Sequence, residues 1–330
     1  MSKLIVSLSP HAHGTDSVER NMYGVIIALM PALMVAFSYF GLGAVVVTLT
    51  SVASCLLFEW AITRYLLKRP STLLDGSAVI TGLLLGMNLP SNFPVWMVII
   101  GALVAIGLGK MAYGGLGCNP LNPALVGRCF LLVSFPVAMT SWPRPYQWEA
   151  YTDAMTGSTP LALMKQAINT GDVSVLEKMP STFEMLLGMP GQASAGVGSL
   201  GEICALALLA GLGFMLWRRI ITWHIPVSIL TTVFVFSGLL HCANPVYANP
   251  LMVILNGGLL LGAIFMATDY VTSPMTHRGQ LLYGVCIGVL TVIIRNWGSY
   301  PEGMSFAILI MNAFTPLINV YMKPKRYGKN

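Results

Sequence analysis

Charge is what this sequence has least of. Only 9% of its 330 residues are Asp, Glu, Lys or Arg, whereas 55% are hydrophobic and the mean hydropathy is +0.74. A soluble domain carries roughly a quarter charged residues. The composition therefore excludes a soluble fold, and we predict an all-α integral membrane protein.

Several familiar site motifs are missing as well. The sequence contains no P-loop, no Rossmann glycine motif and no nucleophile elbow. Its six cysteines lack metal-ligand spacing, and its five histidines do not pair on one predicted helix. We predict no metal site, and we interpret the cysteines as small buried thiols. The net charge of +6 comes from basic clusters at the ends of apolar runs, which indicates lipid contacts and not a nucleic-acid groove.

Apolar runs of membrane-spanning length, in contrast, are abundant. A span needs about twenty mainly apolar residues. We predict about ten transmembrane helices, the third of them short: 22–40, 42–63, 76–90, 93–112, 121–140, 200–217, 220–241, 250–268, 279–296 and 303–321. They define an N-terminal five-helix repeat, one long outer loop and a C-terminal five-helix repeat, at 1–140, 141–199 and 200–330.

The two five-helix units are predicted to be inverted relative to each other, because five is an odd number. Polar breaks fall at similar places in each half. DGSAVITG (75–82) corresponds to TDYVTSPMTHRG (268–279), and NPLNPALVG (119–127) corresponds to YPEGMSFAI (300–308). Matching breaks in two halves usually mark a site at the repeat interface.

The placement of lysine and arginine predicts an orientation. Ten spans put both termini on one side, together with most of the basic residues, including Lys110 and Arg128. Only four of the 18 fall on the opposite side: Arg144, Lys165, Lys178 and Arg295. The positive-inside rule then makes the termini cytoplasmic and places residues 141–199 outside.

Four acidic residues lie at or within the predicted ends of spans. Intramembrane acids serve in ion or proton handling, or they cap helices at the interface. We favour structural roles for Asp75, Glu202 and Glu302, because Asp75 and Glu202 open their helices as N-caps do. Asp269 ends an apolar run before a Thr/Ser-rich turn, so both interpretations stay open, including a place on an ion path.

The segment GKMAYGGLGCNPLNPALVGR (109–128) combines glycines with two Asn-Pro pairs. Non-helical backbone near membrane depth must line a cavity or be buried in protein. The amides of Asn119 and Asn122 can bind the edge of a heteroaromatic ligand. Asn122-Pro123 also fits a helix N-cap followed by proline at the first helical position. The two roles are compatible.

DAMTGSTPLA (153–162) lies in the long outer loop, and its composition is that of a surface turn.

Five sequence blocks occur in this order along the chain: DGSAVITGLLLGMNLP, YGGLGCNPLNPALVGRCFL, DAMTGSTPL, FMATDYVTSP and YPEGMSFAILIMNAF. Together they resemble the D subunit of the Rnf electron-transport complex and the related B subunit of the Na⁺-translocating NADH:quinone oxidoreductase. The length and the SPHAH start favour the Rnf protein.

The resemblance implies a covalent flavin. In these proteins a flavin transferase joins FMN to a threonine through a phosphoester, in a motif with an upstream aspartate ending in [Ser/Thr]-Gly-Ala-Thr. Here Thr159 matches the acceptor, and Asp153, Thr156, Gly157 and Ser158 match the motif. Ser158 departs from the usual alanine and adds a second hydroxyl. We expect the acceptor to sit on an accessible loop.

The resemblance also implies a non-covalent riboflavin near Asn119 and Asn122. The implied function is electron transfer between ferredoxin and NAD, coupled to Na⁺ or H⁺ translocation across the bacterial inner membrane. The expected partners are the A, B, C, E and G subunits of the Rnf complex, the flavin transferase and membrane lipid. A different hypothesis is a small-solute channel or transporter with a urea-transporter-like fold, in which DAMTGSTPL is only structural.

Overall fold

The computed structural model describes residues 17–69, 72–149, 151, 154–188, 198–298, 300 and 302–323. Within these ranges the regular structure is helical, and the sole β-type pairing is an isolated bridge between Pro143 and Thr156. The helices are α1 Val18–Phe40, α2 Leu42–Ala61, α3 Ser77–Met87, α4 Val95–Gly107, α5 Pro123–Ser134, α6 Pro136–Met139, α7 Pro160–Thr170, α8 Thr182–Leu187, α9 Ala205–Trp217, α10 His224–Ala243, α11 Pro250–Leu255, α12 Leu259–Leu261, α13 His277–Trp297 and α14 Met304–Tyr321.

Six helical segments of the described chain are long and apolar enough to cross a membrane: Val18–Phe40, Leu42–Leu66, Val95–Tyr113, His224–Ala243, His277–Trp297 and Met304–Tyr321. The prediction of a multi-pass helical membrane protein is therefore confirmed. Each remaining predicted span also contains a helix, but α3, α5 and α9 have only 11, 12 and 13 residues. At about 1.5 Å per residue they are shorter than the roughly 30 Å hydrocarbon layer.

The predicted continuous span at 250–268 is wrong, because the helix breaks at Asn256–Gly258. Gly257 and Gly258 have φ values of 71° and 62°, the left-handed region that a right-handed helix cannot include. A π-helical turn, Gly262–Met266, follows the break. Irregular backbone at this depth is tolerated only inside protein, and residues 259–267 are all buried.

Helix packing follows the same pattern in the two halves of the chain. In the first half α2 contacts α3 and α4, and α4 contacts α5. In the second half α10 contacts α11 and α13, and α13 contacts α14. Helices α1 and α9 pack against each other across the halves, and one hydrophobic core runs through both. The polar breaks that precede α3, α5 and α14 therefore lie within one packed body.

Small residues allow the closest helix contacts. A Cβ added to Gly211 of α9 would lie 2.5 Å from the carbonyl oxygen of Ala28 in α1. One added to Gly288 of α13 would lie 2.8 Å from the Cβ of Thr232 in α10. Lipid tails are as apolar as leucine, so membrane helices associate through such close packing and not through hydrophobic exclusion.

Much of the segment predicted as a long loop is folded. Residues 160–188 form the α7–α8 subdomain, in which a 3₁₀ turn, Val173–Lys178, joins the two helices. Leu163, Ala167 and Met185 form a hydrophobic cluster with Ala248, separate from the main core. The polar composition of this segment concealed its helices, because each is short and buries only one face.

Candidate functional site

Residues 156–159 (TGST) lie beside residues 142–147. The Gly157 N–H donates to the Trp142 carbonyl at 2.9 Å, and the Arg144 N–H donates to the Met155 carbonyl at 2.9 Å. Thr156 and Ser158 are not buried, whereas Thr159 is only 7% exposed. Asp153, the fourth polar member of the predicted motif, lies outside the described residues.

Thr159 is the N-cap of α7. Its backbone is extended (φ −72°, ψ 155°), its Oγ1 accepts from the Ala162 N–H at 3.1 Å, and Pro160 occupies the first helical position. A capping hydroxyl replaces a missing intrahelical acceptor. The expectation that this threonine is accessible is therefore wrong for the described conformation, because capping turns its hydroxyl into the helix end.

A small cavity of about 20 Å³ is lined by Thr159, and we call it the Thr159 cavity. Residues distant in sequence line it: Trp142, Thr159, Leu161, Glu202, Asn256 and Glu302. The Glu202 carboxylate accepts from the Ser199 hydroxyl at 2.6 Å. Glu302 forms an ion pair with Arg128, whose guanidinium is 3% exposed.

Arg128 and Arg295 form hydrogen bonds that connect several helices in this region. Arg128 Nη1 donates to Asn88 Oδ1 at 2.8 Å and to Ser305 Oγ at 2.6 Å. Arg295 donates to the carbonyls at the break after α11: those of Val253 at 2.8 Å, Asn256 at 2.9 Å and Gly257 at 2.8 Å. Arg295 thus satisfies carbonyl groups that a continuous helix would have satisfied.

Some buried polar atoms in this region have no hydrogen-bond partner. They include Asn256 Nδ2 and the Nε atoms of Arg128 and Arg295. A buried donor without a partner costs about 1–3 kcal/mol. Such atoms in a folded protein indicate a place where a ligand acceptor or water belongs.

A second cavity, of about 30 Å³, lies between α7, α10 and α13, and we call it the α7 cavity. Its α7 wall is the stripe Leu161, Met164, Lys165 and Ile168, and Arg295 lies opposite on α13. Lys165 Nζ donates to the Gly298 carbonyl, and burial lowers the pKa of the Lys165 ammonium. The lining is mainly apolar and includes two cationic residues, Lys165 and Arg295.

Three candidate residues from separate sequence motifs lie close together in the structure. Asn119, Asn122 and Asp269 line one crevice with a volume of about 80 Å³, which we call the Asn119 crevice. The Asn119 amide interacts with the Asp269 carboxylate, which also accepts from the Thr272 hydroxyl at 3.2 Å. Asn119 Oδ1 is buried and has no partner.

Asn122 has a capping role, as predicted, and it also borders the crevice. Its Oδ1 caps α5 by accepting from the Ala124 N–H at 3.1 Å, and Pro123 starts the helix. Its Nδ2 donates to the Met266 carbonyl at 3.0 Å, which fixes α5 against the π-helical turn of the other half. This amide therefore connects the polar break at 119–127 to the π-helical turn Gly262–Met266.

The buried pair Lys110–Glu59 was missed in the sequence. Lys110 Nζ lies 2.6 Å from Glu59 Oε2, with the two side chains 2% and 0% exposed. Lys110 also donates to the Ser77 hydroxyl at 2.7 Å, and Thr72 donates to Glu59 at 2.8 Å. The available signal was one charge of each sign within apolar runs, since such charges pair inside the bundle.

Two interpretations of charged residues need correction for the same reason. The count of basic residues on the cytoplasmic side includes Lys110 and Arg128, but both are buried and paired with acids. On the opposite side, Arg295 is likewise buried. These three residues do not report orientation, and removing them leaves the bias among the remaining basic residues in the same direction.

The predicted N-caps at Asp75 and Glu202 are wrong. Gly76 precedes α3 without a side-chain cap, and Asp75 ends a separate 3₁₀ turn. Cys204 precedes α9, again without a side-chain cap, while Glu202 binds Ser199. Neither acid occupies the position from which a side chain receives the first N–H groups of the helix.

The cysteine prediction is confirmed in part. All six thiols are free; Cys55, Cys129 and Cys204 are buried, whereas Cys118 and Cys242 are exposed. Within the described residues no group of three His, Cys, Asp or Glu side chains is placed to hold a metal ion.

Comparison with known proteins gives a consistent family. A model described as the NQR2, RnfD, RnfE family matches residues 5–328. The chain is 45% identical to the D subunit of the Na⁺-translocating ferredoxin:NAD⁺ oxidoreductase complex of Acetobacterium woodii, over 98% of this chain and 95% of that protein. It is 37% identical to the D subunit of the proton-translocating ferredoxin:NAD⁺ oxidoreductase complex of Clostridium ljungdahlii, over 98% and 96% of the two chains. It is 40% identical to the D subunit of the ion-translocating oxidoreductase complex of Cronobacter sakazakii, over 98% of each. The chain belongs to the NQR2, RnfD and RnfE family.

Proposed function

We propose that this protein is the membrane flavoprotein subunit of an Rnf-type complex, which carries electrons between ferredoxin and NAD while Na⁺ or H⁺ crosses the membrane. The observation that carries the proposal is the arrangement around Thr159. The hydroxyl of the TGST motif borders a cavity with an unpartnered buried donor, Asn256 Nδ2. One relative is named as Na⁺-translocating and another as proton-translocating, so the proposal includes either ion.

The residues around Thr159 fit a covalent FMN. The N-terminus of α7 is favourable for a phosphoester anion because its N–H groups and dipole point toward it. Asn256 supplies a further donor, and Arg128 neutralises Glu302 on the cavity wall. When bound, a flavin supplies one-electron and two-electron transfer, and attachment through the phosphate leaves its ring free to exchange electrons.

The Asn119 crevice fits a second, non-covalent flavin, riboflavin. Polar groups of Asn119, Asn122 and Asp269 converge on this largely apolar crevice, as is typical of small-molecule sites. The unpartnered Asn119 Oδ1 can accept from an imide N–H on a heteroaromatic edge. Apolar walls from Ile80, Leu84 and Phe265 suit the faces of a flat ring.

Asp269 is our candidate for the ion path. Its carboxylate lies at the end of the buried 259–267 stretch, beside Asn119 and Thr272. Moving one charge against 100 mV costs about 2.3 kcal/mol, so ion entry must depend on the redox state. A carboxylate on the wall of the proposed riboflavin crevice is placed to respond to a change in ring charge.

The packing pattern supports two inverted repeats of five segments each, in which the segment at 250–268 is broken at Asn256–Gly258. The equivalent contacts of α2–α5 and α10–α14 are those expected of a duplicated five-helix unit. Exposed aromatic residues mark two interfaces. One set lies at the ends assigned to the cytoplasm (Trp60, Tyr65, Trp217 and Trp223), and the other at the ends assigned to the outside (Trp96, Trp148 and Trp297).

We place the protein in the bacterial inner membrane with cytoplasmic termini, as a partner of the A, B, C, E and G subunits of the Rnf complex and as a substrate of a flavin transferase. The buried Thr159 has a consequence for attachment. A transferase can reach its hydroxyl only when the start of α7 is released from its cap.

Covalent attachment is tested by expressing the chain with a flavin transferase and inspecting a denaturing gel under ultraviolet light. We expect a fluorescent band that is lost in Thr159→Ala and kept in Ser158→Ala and Thr156→Ala. The last two are matched controls, because they remove neighbouring hydroxyls that are not buried. A dark wild-type band would contradict the proposal and favour the channel hypothesis.

A further inference from the structure

We propose that Glu202 is a proton-binding carboxyl group in the chain before flavin attachment, and that one water molecule in the Thr159 cavity links it to Glu302 and Asn256. This site needs no flavin and therefore goes beyond the proposed function. Three observations lead to it: the hydrogen-bond partners of Glu202, an unpartnered donor on Asn256, and the size of the cavity.

Glu202 has no cation in hydrogen-bonding contact, since the ion pairs among the described residues involve other acids. Its carboxylate accepts from the Ser199 hydroxyl at 2.6 Å. The two oxygens also lie against glycine backbone. A Cβ added to Gly198 would be 2.5 Å from Oε2, and one added to Gly258 would be 3.1 Å from Oε1. A poorly solvated carboxylate without a paired cation binds a proton in place of staying charged.

The charged groups that act on Glu202 are Glu302, Arg128 and Arg295. Both arginines are engaged elsewhere. Arg128 pairs with Glu302, and the Nη groups of Arg295 donate to three backbone carbonyls at the break after α11. Within the described structure neither guanidinium forms an ion pair with Glu202, so a proton is the cation that neutralises it.

The Thr159 cavity has the room and the partners for one water molecule. Its volume of about 20 Å³ exceeds the roughly 10–15 Å³ that a water requires. Asn256 lines the cavity, is 9% exposed, and has an Nδ2 without a partner. The occupant must accept from this amide and donate to an acid on the opposite wall. Water does both, whereas a bare cation would face an N–H donor.

A water in this position can form four hydrogen bonds. It accepts from Asn256 Nδ2 and from the protonated Glu202 carboxyl, and it donates to the Glu302 carboxylate and the Thr159 hydroxyl oxygen. Buried waters usually have about three such partners. Because Glu202 is partly exposed, its proton can exchange with the solution on the side assigned to the outside.

The first test is infrared spectroscopy of the full chain, purified without a flavin transferase. A protonated carboxyl group has a carbonyl-stretch band distinct from that of a carboxylate. We expect loss of one such band in Glu202→Gln and its retention in Glu177→Gln, which alters an exposed acid of the α7–α8 subdomain. Bands of other buried acids, such as Asp269, occur in both variants and cancel in their difference spectrum.

The second test concerns the water. Asn256→Leu removes the amide donor from the cavity, and Asn244→Leu removes an exposed amide elsewhere. Without the water, the Glu202 carboxyl loses a hydrogen-bond acceptor. We therefore expect its band to shift to higher frequency in Asn256→Leu and to stay in place in Asn244→Leu.

Absence of a Glu202-dependent acid band at every pH at which the chain stays folded would overturn the proton assignment. Loss of that band on adding sodium chloride, but not choline chloride, at constant pH would overturn it as well, because Na⁺ would then occupy the site. An unchanged frequency in Asn256→Leu would overturn the water link. Covalent attachment is tested separately by the denaturing gel, so failure of this proposal and failure of the proposed function are distinguishable.

Discussion

The Thr159 region and the Asn119 crevice differ in how their polar groups are arranged. Around Thr159 two buried arginines face backbone carbonyls and carboxylates, and the donors Asn256 Nδ2 and Arg295 Nε lack partners. In the Asn119 crevice the amides face an aspartate, and the unpartnered atom is an acceptor, Asn119 Oδ1. The Thr159 region therefore offers unpartnered donors, whereas the Asn119 crevice offers an unpartnered acceptor.

The two regions nevertheless share one helix. Asn122 at the start of α5 borders the crevice, and Arg128 in the same helix pairs with Glu302 on the wall of the Thr159 cavity. Six residues of helix separate them by about 9 Å. Asn122 and Asn88, which binds Arg128, both contact Met266. The two regions therefore share α5 and contacts to Met266.

The largest effect is expected from breaking the ion pair beside the crevice. Lys110→Met leaves Glu59, which is 0% exposed, without its cation. Removing one partner of a buried pair costs about 3–5 kcal/mol, whereas replacing both with apolar groups is often neutral. Thermal unfolding in detergent should show a large fall in stability for Lys110→Met and partial recovery in Lys110→Met/Glu59→Leu. Equal losses in the two proteins would contradict the pairing.

A smaller effect is expected near Thr159. Arg128→Leu also leaves an acid unpaired, but the Glu302 side chain is 13% exposed and can be partly solvated. We expect a loss toward the lower end of roughly 3–5 kcal/mol, measured by the same unfolding assay. Ser305→Ala, which removes one hydrogen bond to Arg128, serves as the mild control. A loss larger than that of Lys110→Met would reverse the ranking of the two regions.

How much the sequence could predict also differs between these regions. The cap was predictable at Asn122 because Asn-Pro is a local signal, and the structure shows that cap. The cap at Thr159 has the same Xaa-Pro form, but a turn-rich composition concealed the helix that follows it. Local sequence signals therefore predicted the start of a helix where the segment that follows is long and apolar.

The charged partners could not be predicted, because each joins residues far apart in the chain. Arg128 and Glu302 are 174 residues apart, and Arg295 reaches the Gly257 carbonyl across 38. Composition shows only that such charges are costly in a membrane and must be paired. Composition does not show which residues form the pairs. The break at Gly257–Gly258 was missed for a related reason, since two glycines in an apolar run are common in membrane helices.

The smallest effects concern the two capping side chains, and they compare the regions most directly. Asn122→Ala and Thr159→Ala should each cost about 0.5–2 kcal/mol, with Asn122 at the upper end because it also donates to the Met266 carbonyl. In protein made without a flavin transferase, Thr159→Ala should release the Ala162 N–H. Hydrogen exchange at that amide should accelerate about 5–30-fold for a loss of one or two kcal/mol. Thr159→Ser retains the hydroxyl and should exchange like the wild type, whereas unchanged exchange in Thr159→Ala would show that this hydroxyl does not hold the start of α7.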